Sequence, residues 1–93
     1  MNPLRIVLVG LGTRGRYWAE VINRSSDCEL CAYVDPNPAA LEKAKQLYGP
    51  KPSFGKLEEA LQNIPDIQAL VLATPPEGRQ HHIHLACQQG LAL

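Results

Sequence analysis

Apolar residues recur along the chain in two alternating rhythms. Unbroken apolar runs, several of them rich in β-branched residues, mark strands buried on both faces. Segments with an apolar residue every three or four positions mark amphipathic helices. "LRIVLVG" predicts a strand over 4–10, and a helix over about 14–24 follows it. There Trp18, Val21 and Ile22 share the face expected to point inward, with Glu20, Asn23 and Arg24 outward. Ser25, Ser26 and Asp27 end that helix, and a second strand is expected over 28–34.

The next helix has a clear start and stop. Asn37 is a good N-cap, Pro38 suits the first helical position, and Gly49 followed by Pro50 closes the element. Its expected apolar stripe is Leu41, Ala44, Leu47 and Tyr48. A short strand near Ser53 and Phe54 and a short helix over about 56–62 come next. "IQALVLATPP" reads as a buried strand closed by two prolines. A helix over about 77–89 should turn Ile83, Ala86 and Cys87 inward and end at Gly90. "LAL" (91–93) looks like the opening of a further strand. Strict alternation of strand and helix predicts an α/β fold: a doubly wound, Rossmann-like parallel sheet of five strands with helices on both faces.

The chain has 93 residues, enough for one domain. Nine basic side chains balance nine acidic ones, so charge gives no argument for nucleic acid or an anionic membrane. No apolar run approaches the roughly 20 residues of a membrane span, and no signal peptide is evident, so the cytoplasm is the expected location. Cys28 and Cys31 form C-x-x-C, but on a strand that spacing places the two side chains on opposite faces. Small half-buried residues in a reducing compartment are the expected reading.

The chemistry lies in the turn after the first strand. Gly10, Gly12 and Gly15 spell G-x-G-x-x-G between a strand and a helix, the context that the dinucleotide fingerprint requires. Gly10 is expected to allow the sharp turn, Gly12 the approach of a pyrophosphate, and Gly15 close helix packing. Leu11, Thr13 and Arg14 complete the loop and the start of the helix, whose N–H groups would face the phosphates. Asp35 follows the second strand about 20 positions on and would accept hydrogen bonds from the adenosine ribose hydroxyls. Its charge favours NAD over NADP, although Arg14 or Arg16 could reach a 2′-phosphate. Ala73, Thr74, Pro75 and Pro76 end the fourth strand at the switch point, beside the expected nicotinamide ribose. His81 and His84 share a helix face, but nothing nearby completes a metal-ligand set, so a solvated face near the cleft is expected.

Four stretches together resemble the Gfo/Idh/MocA family of glucose-fructose oxidoreductase and inositol dehydrogenase: "RIVLVGLGTRGRYWAEVI", "AYVDPNPAALEKAKQLYG", "FGKLEEAL" and "LVLATPPEGRQHHIHLACQQGLAL". The resemblance implies an NAD(P)-dependent oxidoreductase acting on sugars, cyclitols or related hydroxyl-bearing molecules. It also implies a second α+β domain carrying substrate and oligomer contacts. The family's usual histidine, five positions after the Thr, is replaced here by Arg79. The family's Glu-Lys-Pro motif would begin just beyond Leu93, so residues 1–93 are expected to be a dinucleotide-binding fragment that is not itself catalytic. Such a fragment should expose apolar surface and self-associate. Two rival readings stay open: an S-adenosylmethionine-dependent methyltransferase-like domain, and a non-catalytic nucleotide-sensing module.

Overall fold

The computed structural model describes residues 3–74 and 79–92. Its elements run β1 (Leu4–Val9), α1 (Thr13–Arg24), β2 (Cys28–Val34), α2 (Pro38–Tyr48), β3 (Ser53–Phe54), α3 (Leu57–Asn63), β4 (Ala69–Leu72) and α4 (Arg79–Gln89). All strand pairs are parallel, in the order β3-β2-β1-β4. The chain thus winds outward from β1 through β2 to β3, then returns to pair β4 on the other side of β1. That reversal is the switch point of a doubly wound sheet.

Each face of the sheet carries two helices. Ile6, Leu8, Leu30 and Tyr33 pack with Ala19 and Ile22 of α1 and Ala44 of α2. Val7, Val9, Ala32 and Val34 pack with Leu57 and Ala60 of α3 and Ala86 of α4. Odd and even positions of β1 therefore serve opposite layers, as the period of two requires. The register of β2 against β1 shifts between Ile6 and Val7, so that Leu30 pairs with Ile6 and Ala32 with Val7. Cys31 is the additional residue. It is buried, and burial pushes its thiol above the ordinary value. Cys28, Cys31 and Cys87 are all free.

Three expectations need correction. The sheet among the described residues has four strands, not five: Ala92 makes one isolated parallel bridge to Ala69, and a strand needs successive ladder pairs. The inward face of α1 is Gly15, Ala19 and Ile22, while Trp18 is 41% exposed and Val21 lies outside with it. Small residues let the helix backbone approach the sheet closely, and bulk is turned outward. For the same reason only Ala44 of α2 and Ala86 of α4 are buried, while Leu47, Ile83 and Cys87 are exposed.

Backbone bonds tie the carboxyl ends of the strands together beyond their formal limits. Gly10 N–H donates to Val34 C=O at 2.8 Å, Ala73 N–H to Val9 C=O at 2.8 Å, and Asp35 N–H to Phe54 C=O at 3.1 Å. Tyr33, fully buried, donates its hydroxyl to the Gly49 carbonyl at 3.1 Å and so fixes the exit of α2.

Candidate cofactor-binding site

A cleft of about 880 Å³ opens at these carboxyl ends. One wall is the turn from Val9 to Arg14, and Asp35 and Pro36 form the adjoining corner. Ala73 and Thr74 stand on the β4 side, and Gly55 to Glu58 with Arg79, His81 and His82 close the remainder.

The three glycines meet different constraints. Gly10 has φ +97°, and a Cβ there would lie 2.9 Å from the Ala73 carbonyl carbon, so both backbone and neighbours demand glycine. A Cβ on Gly15 would overlap the Gly10 carbonyl oxygen, which presses the first turn of α1 onto the exit of β1. A Cβ on Gly12, by contrast, would meet nothing within 4 Å, and its φ is −68°. Neither strain nor crowding within the protein calls for glycine at position 12. The space above it fits a group that must approach the backbone closely.

Gly12 is the N-cap of α1, with no side-chain cap and no acidic residue in the first turn. Arg16 N–H donates to Gly12 C=O at 2.9 Å. The N–H groups of Thr13, Arg14 and Gly15 precede that bond and have no intrahelical acceptor. They stand at the positive end of the helix dipole, an arrangement that fits a phosphate.

Asp35 sits where β2 gives way to α2. Its Oδ2 accepts Leu11 N–H at 2.8 Å and its Oδ1 accepts Asn37 N–H at 2.9 Å. The carboxylate is thereby held against the glycine turn, with acceptor capacity left on each oxygen. Asn37 in turn caps α2 by accepting Ala39 N–H at 3.0 Å, as its sequence position predicts.

Of the residues singled out from the sequence, Gly10, Leu11, Gly12, Thr13, Arg14, Asp35, Ala73 and Thr74 line this cleft together. Gly15 lies buried behind it. Arg16 is not part of the lining. Pro75 and Pro76 lie outside the described residues. Arg79 donates its guanidinium to the Thr74 carbonyl, and so anchors α4 to the end of β4.

Sequence reasoning missed the β3–α3 wall. Lys56 and Glu58 line the cleft, and Glu58 Oε2 lies 3.3 Å from His81 Nε2. Its own backbone N–H, and then His81, hold the Glu58 carboxyl below its usual range. Burial and the neighbouring His81 push His82 down. The adjacency of β3 to β2 was the available signal, because it brings the exit of β3 to the same edge. Among the described residues no group of three His, Cys, Asp or Glu is placed to hold a metal ion, and no helix is long and apolar enough to cross a membrane.

A glycine-lined helix start beside a strand-end carboxylate, at the switch point of a parallel sheet, defines a dinucleotide-binding domain of the Rossmann class. The chain belongs to the Gfo/Idh/MocA oxidoreductase family, matching its NAD-binding Rossmann fold over residues 4–93. It is 29% identical over 90 residues to inositol 2-dehydrogenase of Rhizobium meliloti (strain 1021), covering 97% of this chain and 26% of that protein. Scyllo-inositol dehydrogenase from Lactobacillus casei, solved with NAD(H) and scyllo-inositol, superposes with a TM-score of 0.88 at 27% identity. That match covers 97% of this chain and 26% of the other. Myo-inositol 2-dehydrogenase from Lactobacillus plantarum gives a TM-score of 0.71 at 25% identity, over 80% of this chain and 22% of its own. The chain thus spans about a quarter of the length of these relatives.

Proposed function

We propose that this chain is the cofactor-binding part of an oxidoreductase that moves hydride between NAD and a cyclitol, sugar or related hydroxyl-bearing substrate. The observation that carries the reading is the open space over Gly12, flanked by helix-start N–H groups that have no intrahelical acceptor and by the fixed Asp35 carboxylate. Gly10, Leu11, Gly12, Thr13 and Arg14 would hold the diphosphate, and Gly15 lets α1 stand close enough to present them. Asp35 would bind the ribose diol, and Ala73 and Thr74, followed by Pro75 and Pro76, would flank the nicotinamide ribose.

NAD, when bound, supplies the two-electron acceptor: the alcohol gives up a hydride and a proton and becomes a carbonyl. The proton acceptor and the substrate contacts belong to the remaining length represented in the relatives, so residues 1–93 alone bind cofactor without turnover. The inositol dehydrogenases among the relatives support a cyclitol as the substrate class. A cytoplasmic homo-oligomer fits the reading, with Tyr17, Trp18 and Val21 of α1 as exposed apolar surface available for contact.

The test is calorimetry with NADH and NADPH. NADH should bind, and more tightly than NADPH by about tenfold, because a 2′-phosphate would face the Asp35 carboxylate. S-adenosylmethionine should not compete. Failure to bind either dinucleotide would overturn the reading.

A further inference from the structure

The cleft contains one contact that the fingerprint does not use. Glu58, in the first turn of α3, and His81, in the first turn of α4, meet at 3.3 Å although 23 residues separate them in the chain. Both line the cleft and both are partly exposed to solvent there. An acid on the wall of a diphosphate site is electrostatically unfavourable unless something compensates it. Its partner is an imidazole, the side chain that changes charge between pH 5 and 8.

We propose that His81 is a positioning residue for Glu58, and that the pair sets the charge the dinucleotide meets on the α3–α4 side of the cleft. The inference rests on the cofactor reading above. With His81 neutral, the Glu58 carboxylate faces the cleft without a charged partner at His81 and opposes the diphosphate. With His81 protonated, the ion pair closes, the carboxylate is drawn toward α4, and the pair adds no net charge to that wall. Affinity for the dinucleotide then rises as pH falls.

Among the described residues, the other charged or titratable groups lining the cleft around the pair are Lys56 beside α3, Arg79 and His82 on α4, and Arg14 and Asp35 across it. The imidazoles are the side chains of this set that ordinarily titrate near neutrality. His81 rather than His82 makes the contact with Glu58, and it is the more exposed of the two.

The experiment is NADH titration by calorimetry from pH 5.5 to 8.5, with circular dichroism at each pH to confirm folding. The wild-type dissociation constant should fall about three- to tenfold toward pH 5.5. His81→Gln should hold it near the wild-type pH 8.5 level throughout. Glu58→Gln should bind NADH more tightly than wild type at pH 8.5. A pH slope that survives in His81→Gln, or that His82→Gln alone abolishes, overturns the proposal. So does weaker NADH binding by Glu58→Gln at pH 8.5. Absence of NADH binding by the wild type at every pH overturns the cofactor reading itself, and this inference with it.

Discussion

The carboxylate of Asp35 bonds the amide of Leu11 at 2.8 Å, joining the exit of β2 to the middle of the glycine turn. The residue expected to hold a ribose therefore also holds the loop expected to hold the diphosphate. Asp35→Ala should weaken NADH binding at least tenfold and also destabilise the unliganded chain by about 2 kcal/mol, as two charge-assisted bonds are lost. Asp35→Asn, which keeps one acceptor oxygen, should cost less stability. Urea unfolding alongside calorimetry checks both, and an unchanged midpoint in Asp35→Ala would show that the bond to Leu11 contributes nothing.

Gly12 and Gly15 separate binding from folding. Gly15→Ala forces a methyl group into the Gly10 carbonyl and should cost about 3 kcal/mol or more, or abolish folding. Gly12→Ala places its methyl in open space and should cost no more than about 1 kcal/mol, the usual penalty at an N-cap. Its NADH affinity should nevertheless drop at least tenfold. Thermal melts of the two variants, followed by NADH titration of Gly12→Ala, give the answer.

His82 makes the unliganded fold sensitive to acid. Its folded-state pKa is lowered, chiefly by burial, so the unfolded chain takes up a proton at a pH where the folded chain does not. The stability of the neutral form is fully present above about pH 6.5 and is lost as pH falls from there toward the lowered folded value. The melting temperature should decline from pH 7.5 to pH 5.5, and His82→Gln should flatten the decline.

The buried hydroxyl of Tyr33 offers a further check on the packing. Tyr33→Phe leaves the Gly49 carbonyl without this donor and should cost about 1 kcal/mol, read by urea unfolding, with NADH affinity little changed. A larger effect on binding than on stability would mean that the exit of α2 communicates with the cleft.

The sequence was most legible where one local rule governed a segment. β1 and β2 are apolar because both faces are covered, and α2 lies where Asn37, Pro38 and Gly49 place it. The fingerprint was legible because its spacing is set by a single turn. The helix faces were harder to read. Trp18, Val21 and Leu47 dominate any reading based on hydrophobicity, yet the residues that touch the sheet in α1 are Gly15, Ala19 and Ile22. Close approach selects for small side chains, and small side chains carry a weak hydrophobic signal. Contacts between distant segments, Asp35 with Leu11 and Glu58 with His81, have no local signature and emerge only when the strand order is known.

The half-step that Cys31 introduces into β2 sets which way the end of that strand is turned. Leu4 lies opposite Cys28, but Val9 lies opposite Val34, one residue further than an even ladder would give. Were Cys31 instead paired in step, opposite Val7, the ladder would be even and everything downstream would be displaced by one position, sending Val34 toward α1 and α2 and Tyr33 toward α3 and α4. The carboxylate that follows would swing to the wrong layer. An irregularity far from the cleft thus decides whether the acid and the glycine turn meet at all.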